Sequence, residues 1–381
     1  MTTTSDPTER IAACRLAALP FVTAHRLRVL LARDRPSTIV ERLRDGDRGG
    51  DPVVDKLMAF RPSAAAGRTL AELWRDALRN RSSDDDLASD VDVRVWGTVD
   101  YPECLVHDPS APAILFSRGD VAVLNGRRVA IVGTRNATEH GRGAARRFGA
   151  ELSEAGVEVV SGLARGIDAS AHRGLLESGG SGRPVAVVAS GLDVVYPPEH
   201  DRLWAMVGER GFLCTESPPG TNPEPFRFPL RNRIIAGMSE IVLVVESRLD
   251  GGSLITVREA LHRGVTVMAV PGATSTRASQ GTNMLIRDGA LVALDTGDVL
   301  ATLGLDNRRA SGRFDPRVAP TGIDARILDL FDAEPLSLDD VATRAGESVG
   351  ATLGSTAVSL GRLEAGGWLI CTSGWFERTR P

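Results

Sequence analysis

The chain contains one lysine, Lys56; every other basic side chain is an arginine. Guanidinium forks contact phosphate bidentately and stack on bases, so any polyanion chemistry here must be arginine chemistry. The net charge is -4, which excludes binding of nucleic acid through bulk positive charge and requires local placement of cations instead. Cysteine is scarce as well. Cys14, Cys104, Cys214 and Cys371 are scattered without a CxxC pair, which argues against a disulfide framework and against a structural zinc site. No apolar run reaches the roughly 18 residues that span a bilayer, so no membrane association is expected. The opening MTTTSDPTER lacks a basic start followed by an apolar core, so no signal peptide is expected and the cytoplasm is the expected location. Phosphate loops of the GxxxxGKS/T type, GxSxG elbows, HExxH pairs and acids at catalytic spacing are all missing. Glu216, Glu246 and Asp193 lie near strand ends, yet nothing nominates a nucleophile. The expectation is binding without catalysis: no catalytic residue, no metal and no cofactor.

With 42% hydrophobic and 25% charged residues over 381 positions, a sizeable core plus one or two smaller modules is predicted. Residues 1–90 carry apolar side chains at helical spacing and predict a small helical N-terminal domain. Leu16 to Leu27 sits where a DNA-binding helix-hairpin-helix would place its turn, but the hairpin glycines are missing. From 91 to 306 strands and helices alternate. The strands VAIV, VAVVA, IVLVV and VTVMAV are continuously apolar, as parallel strands buried on both faces should be. The prediction is an α/β fold: a Rossmann-like parallel sheet with helices on both faces. Residues 307–320 read as a polar linker. Residues 321–381 predict three helices, the last spanning Val349 to Ala365, and a hairpin, the order of a winged-helix domain. Ser337 with Asp340 three residues on is a variant of the capping box that would open the second of these helices.

Chemistry concentrates at the strand ends of the central domain, where such sheets bind ligands. Gly133-Thr134-Arg135 follows the first strand, with a glycine that permits close approach and an arginine that can reach a phosphate. The alternative is a tight turn with an exposed arginine. The spacing is not that of a dinucleotide fingerprint. Ser161-Gly162-Leu163-Ala164-Arg165-Gly166 repeats the pattern after the second strand. Asp168 is read as a structural cap or arginine partner and His172 as a packing residue. The segment Glu216 to Ser239 is stiffened by prolines and interleaves Phe226 and Phe228 with Arg227, Arg231, Asn232 and Arg233. Rings among arginines form the usual platform for single-stranded nucleic acid, unless the rings are core and only the arginines face out. Gly251-Gly252-Ser253 offers amides at another helix start. Four polar loops on one sheet edge, Gly272 to Asn283 being the last, point to a groove rather than a point site.

The segments VGTRNATEHG, SGLARGIDASAH, GLDVVYPPEH, ESPPGTNPEPFRFPLRNRIIAGMS, GGSLITVREAL, VMAVPG and GTNMLIRDGA, in this order, resemble the DNA processing protein A family (DprA, also called Smf), over roughly residues 95–300. The resemblance implies a Rossmann-like domain that binds single-stranded DNA, protects it, acts as a homodimer and loads the RecA recombinase during natural transformation. Carried over by position, it implies DNA contacts at Arg135, at Arg165 and at Phe228, Arg231, Asn232 and Arg233; the loop chemistry adds Gly133, Thr134, Ser161, Gly162, Gly252 and Ser253 as expected DNA contacts. His140 and His200 stand where the family often has tyrosine and asparagine, and GGS at 251 replaces the commoner SGS. The other reading is a nucleotide-processing enzyme similar to phosphoribohydrolases of the same broad fold, whose PGGxGTxxE loop would correspond to PGATSTRASQGTN, a stretch without a suitably placed glutamate.

Overall fold

The structure, a computed structural model, describes residues 6–47, 50–80, 90–305, 320–331, 335–372 and 374–379. The predicted linker at 307–320 lies, Pro320 apart, outside the described residues, as does 81–89 of the predicted N-terminal domain. The chain divides into two compact units, Met1–Leu305 and Asp306–Pro381.

The first unit opens with α1 (Pro7–Ala17), α2 (Ala24–Leu31), α3 (Pro36–Asp45), α4 (Pro52–Met58) and α5 (Leu70–Asn80). Asp6, Thr23 and Asp51 cap three of them by accepting backbone N–H groups, and proline begins α1, α3 and α4. Leu16, Met58, Leu70 and Trp74 are wholly buried between these helices. The Trp74 indole donates to the carbonyl of Pro20 at 2.7 Å.

The sheet follows in the order β1 (Asp92–Val95), α6 (Glu103–Val106), β2 (Ile114–Gly119), β3 (Arg128–Val132), α7 (Glu139–Glu154), β4 (Glu158–Ser161), α8 (Ile167–Ser178), β5 (Pro184–Val187), α9 (Asp201–Arg210), β6 (Phe212–Thr215), α10 (Arg227–Gly237), β7 (Ile241–Val244), α11 (Ser253–His262), β8 (Thr266–Ala269), α12 (Gln280–Arg287), β9 (Leu291–Val292) and α13 (Thr296–Thr302). The nine strands run in spatial order β1-β2-β6-β5-β4-β3-β7-β8-β9. From β6 to β9 all neighbours are parallel, whereas β2 joins β6, and β1 joins β2, antiparallel.

Alternation along the strands explains the layering. Val129 and Ile131 of β3 face Phe148 and Leu152 of α7, together with Leu175 of α8 and Val299 of α13. Ala130 and Val132 face the opposite core with Ile234 and Ile235 of α10 and Val257 of α11. The N-terminal helices share a third core with β1, β2 and α9. The last strand is short, Leu291–Val292, and α13, which periodicity does not reveal, is capped by Asp295. Among the described residues no helix is long and apolar enough to cross a membrane.

The second unit contains α14 (Gly322–Leu328), β10 (Leu336–Ser337), α15 (Leu338–Val349), α16 (Leu353–Ala365), β11 (Leu369–Thr372) and β12 (Trp375–Arg378), with a three-stranded antiparallel sheet ordered β10-β12-β11. The capping box at Ser337 and Asp340 is present in both directions. The third helix begins at Leu353 rather than Val349, because Gly350 takes a left-handed φ of 69° that ends α15.

Helices α7 and α8 approach closely enough that glycine is required. A Cβ at Gly149 would collide with the backbone of Ala171, and one at Gly174 with the backbone of Arg146, whereas a Cβ at Gly143 meets nothing within 4 Å. Gly149→Ala is expected to destabilise by about 1–3 kcal/mol through overpacking. Gly143→Ala, in the same helix, is expected to stabilise by about 0.5–1 kcal/mol through helix propensity. Thermal unfolding of the two variants checks this; shifts of the same sign would mean that the helix crossing does not depend on close approach.

Candidate nucleic-acid interface

The strand order reverses at β3: the chain winds through β4, β5 and β6 on one side and through β7, β8 and β9 on the other. Loops leaving β3 and β7 therefore diverge at their carboxyl ends and open a crevice. Gly133 ends β3, and a Cβ there would strike Ile167 and the carbonyl of Glu246. The Thr134 amide donates to that carbonyl at 2.8 Å, tying the loop after β3 to the loop after β7. Gly166, with φ of 78°, lets the loop after β4 pack against the carbonyls of Thr134 and Arg135. Three loops are thus joined through backbone atoms, and Arg135 projects from their junction.

Arg135 is exposed, and its guanidinium carbon lies 4.4 Å from the centroid of the Phe228 ring. Tyr196 packs on the same ring, with centroids 5.5 Å apart and planes tilted by 52°. The cleft around this stack is lined by Arg135, Gly162, Ala164, Arg165, Tyr196 and Phe228. Tyr196 was not singled out from the sequence, although it lies in the GLDVVYPPEH segment, where an aromatic after an apolar strand end was the available signal.

The other nominated residues divide sharply. Arg231 does not face the groove: it is 5% exposed and donates to the carbonyls of Gly162, at 2.8 Å, and Val187. A Cβ at Gly162 would overlap its guanidinium, so the glycine exists to admit the arginine. Beside it the buried carboxyl of Asp168 accepts the Gly162 amide at 3.2 Å. Burial pushes Asp168 up to about 6, against the pull of Arg231. Burial likewise lowers Arg231 to about 10, with Asp168 opposing. Asp168 therefore supports the turn from within, as its structural reading anticipated. Ser161 is fully buried and donates to the carbonyl of Ile131 at 2.7 Å, so its hydroxyl is turned away from the cleft.

Arg165 is exposed but paired with Glu199, whose carboxyl that hydrogen bond lowers to about 2. Arg233 is mostly covered and pairs with Glu216. Asn232 reaches the Gly252 carbonyl at 3.5 Å, joining α10 to the start of α11. Ser253 is buried and donates to the hydroxyl of Ser247 at 2.9 Å, while Gly252 stands open. His172 is buried with its Nε2 at 3.3 Å from the Val159 carbonyl, a packing role. The structure thus gathers Arg135, Phe228, Arg165 and Gly162 around one cleft, sets Gly133 and Thr134 in the loop junction behind Arg135, and turns Arg231, Ser161 and Ser253 inward. Phe226, 55% exposed, lies under the guanidinium of Arg227 at 5.1 Å on the outer rim of α10.

This geometry can be set against known proteins. A family model described as DNA recombination-mediator protein A matches residues 92–304, more than half of the chain. Protein Smf of Escherichia coli K12 is 34% identical over 287 residues, covering 74% of this chain and 75% of its own. DNA processing protein DprA of Bacillus subtilis 168 is 39% identical over 206 residues, 53% of this chain and 68% of its own. The X-ray structure of DprA from Streptococcus pneumoniae aligns with a TM-score of 0.63 and 29% identity, over 78% of this chain and 98% of that one. DprA of Helicobacter pylori, studied for its single-stranded DNA binding mode, shares the fold at a TM-score of 0.50 and 24% identity, over 56% of this chain and 95% of that one. The chain belongs to the DNA recombination-mediator protein A family.

Proposed function

We propose that this protein binds single-stranded DNA along the strand-end cleft and acts as a recombination mediator without catalysing a reaction of its own. The observation that carries the reading is the stack of Arg135 on Phe228, backed by Tyr196. An exposed guanidinium over an aromatic ring offers a nucleobase a flat partner and a phosphate a charge at the same place. Among the described residues Arg135 has no carboxylate partner, so its charge is available. The Helicobacter pylori relative binds single-stranded DNA, which agrees with this assignment. Protection of incoming strands, delivery to RecA during transformation and residence in the cytoplasm complete the proposed role.

The proposed assembly is a homodimer. Its support is an apolar groove between α11 and β9, lined by Leu249, Leu261 and Leu291, which are 54%, 62% and 48% exposed. An uncovered groove of this kind favours association with another chain. In the proposed domain plan residues 1–90 form a helical module and 321–381 a winged helix, with 307–320 between the second module and the central domain. The single cation of α16, Arg362, is held by both oxygens of Asp324 at 2.7 and 2.8 Å. That pairing favours a protein contact over duplex DNA for the C-terminal unit.

Fluorescence-anisotropy titration of labelled oligo-dT and of a matching duplex, at low and moderate salt, tests the proposal. The expected result is salt-sensitive binding of the single strand and weak binding of the duplex; no single-strand binding, with release of free base from a nucleoside monophosphate, would replace it by the enzymatic reading. Arg135→Ala is expected to weaken oligo-dT binding about tenfold and to reduce the slope of log affinity against log salt by roughly 0.7, the share of one phosphate contact on a single strand. Phe228→Ala is expected to cost about 1–3 kcal/mol of affinity with little change in slope, as loss of a stacking partner should. Glu199→Gln releases Arg165 and is expected to tighten binding and steepen the slope by roughly 0.7. Arg231→Ala is expected to act on folding instead, lowering stability by about 3–5 kcal/mol by leaving Asp168 buried without its cation. Unfolding midpoints separate this variant from the others; normal stability with lost DNA binding would return Arg231 to the interface.

A further inference from the structure

Glu246 is the buried carboxylate in the sheet's crevice that neither the fold nor the proposed contacts account for. It is 6% exposed, at the carboxyl end of β7. Its side chain accepts the Thr138 amide at 2.9 Å on one oxygen and the Thr138 hydroxyl on the other. Thr138 in turn caps α7 by accepting the Gly141 amide at 3.0 Å. The backbone carbonyl of the same glutamate accepts the Thr134 amide at 2.8 Å. One residue therefore holds both ends of the segment 134–138, and Arg135 lies between the two anchors. The fit is tight, since a Cβ on Gly141 would collide with the carboxylate. Among the described residues no arginine forms an ion pair with Glu246; every partner it has is on this segment or at the helix it opens.

A carboxylate taken out of water is costly unless its oxygens are hydrogen-bonded. Here its bonds are spent on a five-residue loop and not on another core element. The carboxylate also sits at the N-terminal turn of α7, where the helix dipole favours a negative charge.

We propose that Glu246 is a positioning residue for nucleic-acid binding: it clamps the 134–138 segment at both ends so that Arg135 is already over Phe228 when a strand arrives. This inference rests on the reading of Arg135 as a strand contact. A loop ordered in advance does not lose its freedom on binding, and the affinity gained is the ordering cost avoided. Glu246 acts only through Arg135 and touches no nucleotide itself.

The test is a double-mutant cycle on the full chain, read by anisotropy with labelled oligo-dT. Glu246→Ala is expected to weaken binding roughly fivefold when Arg135 is present and less than about twofold when it is replaced by alanine, because coupled residues are not additive. Glu246→Gln, which keeps an acceptor for the Thr138 amide, is expected to recover most of the loss. Amide exchange adds a readout that a general loss of stability would not give: in Glu246→Ala the amides of 134–138 exchange faster, while those of β4 keep their protection. If Glu246→Ala does not fold, Thr138→Val removes the hydroxyl half of the clamp, together with the cap of α7, from the other side, and Thr138→Ser restores both. Equal losses in both Arg135 backgrounds, or no loss in either, would overturn the inference. Full binding by Arg135→Ala alone would instead overturn the assignment of Arg135, a result distinct from additivity in the cycle.

Discussion

Backbone-to-backbone contact at the point where the strand order reverses is the constraint on which the rest of the cleft depends. Gly166 meets the carbonyls of Thr134 and Arg135, and the Thr134 amide meets the carbonyl of Glu246. Loops that touch through main-chain atoms leave no room for a Cβ and little freedom for the side chains they present. The direction of Arg135 follows from this junction, and with it the distance to Phe228. A looser joint between the loops after β3, β4 and β7 would leave the same residues present but not assembled.

The arginines of the cleft illustrate how burial sorts one residue type into different tasks. Arg231 is enclosed and holds the carbonyls at the ends of β4 and β5, with Asp168 beside it. A charge at that depth is costly unless its N–H groups are accepted; here Nη1 serves both carbonyls, while Nε is buried without an acceptor. Arg233 and Arg165 each hold a carboxylate, the first mostly covered and the second in water. The exposed pair is weak and exchangeable, since its Coulomb attraction is screened and its side chains must give up freedom to form it. Arg135 instead rests on a ring, and among the described residues it forms no ion pair with a carboxylate.

Much of this architecture was legible in the sequence. The strand runs VAIV and IVLVV and the glycine turns after them predict β3, β7 and their loops to within a residue, because parallel strands buried on both faces read as unbroken apolar stretches. The cluster of Phe228, Arg231 and Arg233 was also nominated by its sequence. What could not be read was which way each arginine points. Positions 231 and 233 are both basic and both on α10, yet helical rotation turns the first under Gly162 and the second toward Glu216. Periodicity alone does not decide this on a helix whose apolar face is weakly marked. Tyr196 and Glu246 were hidden for a different reason: their roles arise from contacts with segments tens of residues away, and no local pattern announces them. The short α13 and the break at Gly350 were missed through turn chemistry, a cap at Asp295 and a left-handed glycine.

The charge balance then sets what kind of binder this fold supports. The chain is net acidic; of the two arginines that line the cleft, Arg165 is neutralised by Glu199, and nearby on α10 Arg233 is held by Glu216. Long-range attraction of a polyanion is correspondingly small. On the proposed assignment, affinity comes from short-range terms: a base stacked against Arg135 and Phe228, and a phosphate that displaces a glutamate from an arginine already in place. Such a surface discriminates by access to base faces. A duplex keeps its bases stacked on one another and offers only its backbone, whereas a single strand offers both, so the same acidic balance that weakens general attraction to DNA favours the unpaired form.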